Sequence, residues 1–284
     1  MNIIKHKKAF SMLEVIFVIV ILGIVSSIGA EVIANVYQSY IIERATHRSS
    51  IKTELAANQL ANRLAYSIPG TVIGRKTGVY KAIDNLDATD YEILEWIAYD
   101  NDSFSAQRIP GWSGFIDLDA SNKTTLKTNG SNLDTTNTII QKLGGNNLGD
   151  AAIFFPGEYN ADNVGFNGNS NGAISLGTTS TGSTMNVNDL TGKTIKEHYK
   201  LAWSAYAVVP SDNGDGTFDL TLYYNYQPWL GESYSDGSSQ ILVKNVSVFK
   251  FVGSENTIRF KICQQEKIAQ NNQLTICKEK AVIR

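Results

Sequence analysis

The chain of 284 residues has a formal net charge of −2 and 43% hydrophobic residues. That is enough for one sizeable core, one domain with an excursion, and the mild acidity excludes a globally basic nucleic-acid surface. Three histidines and two cysteines leave little material for metal or nucleophilic chemistry.

Residues 10–28 are almost wholly apolar, Glu14 is their one ionisable residue, and Lys5, His6, Lys7 and Lys8 precede them. A charged lead-in followed by roughly 20 apolar residues predicts a membrane-spanning helix. Lysines on the short side keep that side in the cytoplasm, so the chain after Ile33 is expected outside. A carboxylate inside hydrocarbon is costly unless paired, and such residues are usually functional. Lys8 lies off the helical face of Glu14. The natural partner is a positive group at the helix start of another chain, and cleavage after Ala9 would create one in the amino terminus of Phe10. An ordinary secretory signal cut within Ser26-Ser27-Ile28-Gly29-Ala30 would leave Glu14 unexplained.

These residues resemble the type IV pilin and type II secretion pseudopilin superfamily. The likeness is carried by the short basic leader 1–9, then Phe10, then Glu14 at the fifth position of the mature chain, then the apolar run with Gly23. The resemblance implies that a prepilin peptidase cuts between Ala9 and Phe10 and methylates the Phe10 amine. It also implies that Glu14 pairs with a neighbour's amino terminus during subunit assembly. Two positions depart from the family pattern: Ala9 stands where Gly usually precedes the cut, and Glu31 where a helix-kinking Pro is frequent.

No proline occurs between Met1 and Ile68, and Pro69-Gly70 is a stop signal. A helix is therefore expected from Phe10 to Ser67, roughly 87 Å at 1.5 Å per residue. It divides into a membrane span over 10–33 and an amphipathic continuation over 34–68. Val36, Tyr40, Ile51, Leu55, Leu60, Leu64 and Ile68 form its apolar stripe, which needs a partner, most simply a sheet. The expected class is α+β: the long helix packs on an antiparallel β-sheet head over 69–284 with long Gly/Asn/Ser-rich loops.

Within the head, residues 71–74 and 91–99 read as strands, residues 100–102 as a turn, and residues 112–119 as another short apolar run. Residues 123–192 are rich in Asn, Gly, Ser and Thr, as in Asn167-Gly168-Asn169-Ser170-Asn171-Gly172. Such tracts predict long surface loops, with islands such as 151–155 belonging to the main sheet. The Walker spacing is absent. Residues 201–209 and 217–226 form a hairpin about the turn at 211–216. Asp212, Asp215 and Asp219 cluster there, but Gly214 and Gly216 fall on ligand positions counted from Asp212, so turn chemistry is preferred to a calcium loop. Further strands are expected at 240–252, 257–263 and 274–283; residues 242–262 weakly resemble late strands of the J-type minor pseudopilins.

In an exported domain Cys263 and Cys277 read as a disulfide, as in true pilins that close a last loop. Setting them opposite each other places Lys261 across from Glu279. It also places Phe260 and Ile262 across from Lys280 and Lys278, an awkward match that invites a bulge or register shift. His6, His47 and His198 support no catalytic triad, and no His-Glu-x-x-His or Cys-x-x-Cys occurs. Trp203 is expected in the core, and Trp229, after Gln227-Pro228, is the better surface candidate for stacking on a sugar, with a core or loop-anchor role preferred to a sugar platform.

The sequence thus reads as a non-enzymatic minor pilin-like subunit of a type II secretion-type filament, without cofactor or metal. Its partners are other pilin or pseudopilin subunits, the prepilin peptidase and the inner membrane, with no nucleic acid as primary partner. It is expected as a single-pass protein of the bacterial inner membrane with a cytoplasmic amino terminus and a periplasmic head, joining a filament after assembly. Two alternatives stand beside this. One is a type IV pilus minor pilin for adhesion or DNA uptake, the latter calling for a basic strip such as Arg75, Lys76 and Lys81. The other is a bitopic membrane protein with an exported sugar-binding or hydrolytic domain.

Overall fold

A computed structural model describes residues 11–86, 91–105, 108–188, 190–254, 256–269 and 272–283. The long helix α1 spans Met12–Leu64. The chain divides into two compact units, and the boundary within α1 falls after Arg48. In the first unit the helix exposes its apolar side chains throughout, from Met12 to Ile42. Among the described residues α1 is the one helix long and apolar enough to cross a membrane.

The second unit begins with the buried face of the remaining turns of α1: Ser49, Thr53, Ala56, Ala57, Leu60 and Leu64. Their spacing of three and four residues keeps them on one side. They pack on an eight-stranded antiparallel sheet. Its strands in chain order are β1 (Ile73–Lys76), β2 (Val79–Ala82), β3 (Ile93–Ala98), then β9 (Ser204–Asp212), β10 (Phe218–Tyr226), β11 (Ser238–Ser254), β12 (Thr257–Ala269) and β13 (Asn272–Ile283). Across the sheet they run β13-β12-β11-β10-β9-β3-β1-β2. The shared core holds Leu94, Trp96, Val208, Leu220, Leu222, Val243, Phe249, Phe251, Phe260 and Ile262 against the helix.

The upstream part of the expected stripe is not the buried face. Leu60, Leu64 and Ile68 are buried, whereas Val36, Tyr40, Ile51 and Leu55 are exposed. A spacing of four drifts around a helix of 3.6 residues per turn, and the face that meets the sheet carries small residues, Ala56 and Ala57, which let the backbone approach. The helix also stops before Ser67. Ser67 bridges to Ala98, and the Ile68 N–H donates to the Ile97 carbonyl at 2.8 Å, so this stretch joins β3 ahead of Pro69.

Strands β3 and β9 pair directly, with Leu94 opposite Val208 and Ala98 opposite Ser204, yet residues 99–203 lie between them in sequence. This insertion carries the expected loops, as at 155–173 and 190–197, on a set of short elements. It holds α2 (Asn101–Phe104), β4 (Thr125–Lys127), α3 (Leu133–Lys142), β5 (Ala152–Phe154), β6 (Ile174–Ser175), β7 (Thr184–Asn186) and β8 (Lys200–Ala202). Strands β4 and β7 pair with each other, and β6-β5-β8 form a separate small sheet, so the island at 151–155 is not in the main sheet. The expected apolar run at 112–119 forms no strand, only isolated bridges from Phe115 to His198 and from Asp117 to Lys127. Composition misled because the sparse apolar residues converge: Trp112, Ile116, Leu126, Leu133, Ile140, Leu148, Leu176, Met185 and Leu201 share one core. The polar residues tie the backbone instead of solvating it. Asn137 Oδ1 accepts from the Leu148 N–H at 2.9 Å, and Asp134 accepts from the Thr181 hydroxyl at 2.7 Å and the Gly182 N–H at 3.1 Å.

A third cluster covers the sheet face opposite α1. Ile73, Ile97, Ala205, Ala207 and Tyr226 of the sheet meet Phe154, Val164, Phe166 and Trp229. The sheet is thereby covered on both faces, a three-layer arrangement.

Candidate functional site

Ser11 opens α1, and the Glu14 N–H donates to its carbonyl at 3.1 Å and its hydroxyl at 3.3 Å. The Ser11-Met12-Leu13-Glu14 spacing is that of a capping box, which suits a carboxylate near the positive helix end. Glu14 is exposed, and its carboxylate has no hydrogen-bond or ion-pair partner among the described residues. Ala9 and Phe10 lie outside the described residues. This end of the helix therefore presents a solitary carboxylate on an apolar surface, chemistry suited to capturing a cation from another molecule.

Cys263 and Cys277 are joined in a disulfide, with Cα atoms 4.0 Å apart. The two lysines that follow the bridge are engaged by the helix. Lys278 and Lys280 point to the α1 side and reach the Glu54 carboxylate at 3.4 Å and 2.6 Å. The hydrogen bond from Lys280, with that from Lys278, holds the Glu54 carboxyl below its ordinary range. On its other edge β12 meets a bulge in β11, whose register shifts between Val246 and Val248, leaving Ser247 as the extra residue. Gln264 follows the bridge and accepts from the Ser49 hydroxyl at 2.7 Å.

The three aspartates of the β9–β10 hairpin are committed to the turn. Asp212 accepts from the Gly214 N–H, Asp215 from the Thr217 N–H and hydroxyl, and Asp219 from Asn213 and the Asn245 N–H. Among the described residues no group of three His, Cys, Asp or Glu could hold a metal. Trp229 is not a surface platform: it is 4% exposed, its Nε1–H donates to the Asp150 carbonyl at 3.1 Å, and its ring meets Phe154 edge-on. Trp112 and Trp203 are buried as well. His198 sits against the Phe115 ring.

Arg75 is not part of a free basic strip either. Its Nε donates to the Glu95 carboxylate at 2.8 Å, its guanidinium reaches the Phe166 carbonyl at 3.2 Å, and it lies over the Tyr80 ring. Glu95 is almost fully buried and accepts a second bond from the Tyr226 hydroxyl at 3.0 Å. Burial pushes the Glu95 carboxyl above its ordinary value, against the opposing pull of Arg75. This triad clamps β1, β3 and β10 to the loop carrying Phe166.

Asp100 does more than form the expected turn. It is 4% exposed and caps α2 by accepting from the Ser103 N–H at 3.1 Å. Its backbone carbonyl takes the Trp112 indole N–H at 2.8 Å, and its N–H donates to the Leu201 carbonyl. It thus ties the point where the chain leaves the main sheet to the core of the insertion. Burial drives its carboxyl up to about 6, against hydrogen bonding from Ser103. Nothing in Tyr99-Asp100-Asn101 signalled this beyond the N-cap preference of aspartate.

Residues 4–30 match the family model described as the prokaryotic N-terminal methylation motif, the signature of type IV pilins and pseudopilins. A search of curated proteins and a search of solved structures each returned no match. The motif supports a pilin-like filament subunit that assembles with other pilins and is processed by a prepilin peptidase. With the exposed apolar helix it fits a single-pass, membrane-anchored chain.

Proposed function

We propose that this chain is a minor pilin-like subunit, a pseudopilin, of a type II secretion-type filament. The prepilin peptidase cuts after Ala9, the Phe10 amine is methylated, and Glu14 sets subunit register by pairing with a neighbour's amino terminus. One observation carries this reading: the methylation motif over 4–30 surrounds a lone carboxylate, Glu14, that has no partner on its own chain among the described residues. A neighbour's ammonium would neutralise it at a helix start where negative charge is already favoured. The head is directed to the periplasm. Its inserted unit makes it bulky, which suits a low-copy or tip position better than a regular shaft.

The test is Glu14→Val. Removing the charge makes the span more apolar, so membrane insertion is retained. Incorporation into filaments, read by shear fractionation and by cross-linking to neighbouring subunits, is lost. Normal incorporation of the variant would contradict the assigned role.

A further inference from the structure

We propose that the cleft at the carboxyl end of α1 binds a neutral saccharide. The inference goes beyond the assembly reading and is independent of it, since the site lies wholly in the second unit. The cleft has a volume of about 330 Å³, at the lower end of what small-ligand sites enclose. Its floor is Ala98, Asp100 and Trp203, all buried.

The lining has a mixed hydrogen-bonding character. The amides of Gln59, Asn62 and Asn101 both donate and accept, the Arg63 guanidinium only donates, and Asp102 only accepts. The side chains of Gln59, Asn62, Arg63 and Asp102 have no hydrogen-bond or ion-pair partner among the described residues. A phosphate or carboxylate would satisfy Arg63 and confront Asp102 and Asp100. An ammonium would satisfy the aspartates and confront Arg63. Adjacent hydroxyls on a neutral ring, each both donor and acceptor, hydrogen-bond to all of these groups without bringing a charge that any of them repels.

The walls are held in place before any ligand arrives. Arg63 lies 5.3 Å from the Tyr206 ring centroid, and Tyr206 stacks on buried Trp96 at 5.7 Å. Tyr66 is fixed edge-on to Tyr99 at 5.5 Å and remains 39% exposed, an apolar wall for the C–H face of a sugar. Tyr66 and Tyr206, held by their ring partners, lose little conformational freedom on binding, and the exposed side chains of Gln59, Asn62 and Asp102 are ordered by the ligand.

The experiment uses the full chain in a detergent without a sugar headgroup. Methyl glucoside, methyl galactoside and N-acetylglucosamine are titrated by calorimetry and saturation-transfer NMR. At least one is expected to bind saturably in the millimolar range. Arg63→Ala and Tyr66→Ala, both exposed positions, should weaken it about tenfold or more, the scale of one lost favourable contact. Asp102→Asn gives an independent reading and should weaken binding as well. The proposal is overturned if none of the three saturates by about 50 mM, if all three variants bind as the parent does, or if glucuronate or glucosamine binds more tightly than every neutral probe. Assembly of the Glu14 variant does not enter any of these readings.

Discussion

Replacing Asp100 by Asn should stabilise the protein at neutral pH and lose that advantage in acid. Asp100 is 4% exposed, and its carboxyl stands at about 6 in the folded chain against an ordinary 3.8. A rise of about two units corresponds to about 3 kcal/mol between the two protonation states. Because the folded value is raised, the stabilisation is fully present below about pH 4 and is lost as pH rises through about 6. At neutral pH the native fold therefore holds a disfavoured charge. Asparagine keeps the capping acceptor for the Ser103 N–H and removes that charge. An amide NH2 in place of the buried, unpartnered Oδ2 costs about 1–2 kcal/mol where it stays unpaired, which offsets part of the gain. The net gain is about 1–2 kcal/mol above pH 7, or a few degrees in melting temperature for a domain of this size. Thermal melts of the detergent-solubilised chain followed by near-ultraviolet dichroism at about pH 4.5 and about pH 7.5 read this directly. An equal or lower melting temperature for the variant at the higher pH, or an advantage that grows on acidification, would refute the reasoning.

Arg75→Ala should destabilise by about 3–5 kcal/mol, because it strands the buried Glu95 carboxylate, and Arg75→Ala with Glu95→Gln should recover much of the loss. Melting temperatures of the two variants check this, and a single variant that melts like the parent would show that Glu95 does not depend on Arg75. Cys263 and Cys277 should resist thiol labelling in chain isolated without reductant and both label after reduction; labelling of both without reductant would contradict the bridge. Its loop spans 14 residues in sequence, so reduction should remove about 3 kcal/mol in the chain-entropy picture. The loss should appear as proteolysis confined to β13, with the rest of the head resistant.

Much of this was legible where the physics is local. Glu14 in an apolar run, a proline-free stretch ending at Pro69, and the alternation about Asp212 to Gly216 each announce a span, a helix and a hairpin, because lipid, backbone geometry and turn chemistry act on neighbours in sequence. What escaped depends on distance. Leu133, Thr136 and Ile140 form the buried face of α3, but a threonine in the stripe blunts the helical pattern. The insertion's own core escaped because its apolar residues are few per window and meet only in three dimensions. Trp229 looked exposed beside a proline and is covered by Phe154 and Asp150. Glu54 anchors Lys278 and Lys280 from the far end of the chain, and no sequence window holds both partners. The ion pair of Arg75 with Glu95 depends on the pairing of β1 with β3, which no sequence window holds.

Processing of the chain as a pilin-type precursor is read by intact-mass and amino-terminal peptide mass spectrometry of membrane-extracted protein. The expected product begins at Phe10 and carries one methyl group on its amine. A chain that retains Met1, or one cut near Ala30, would contradict it.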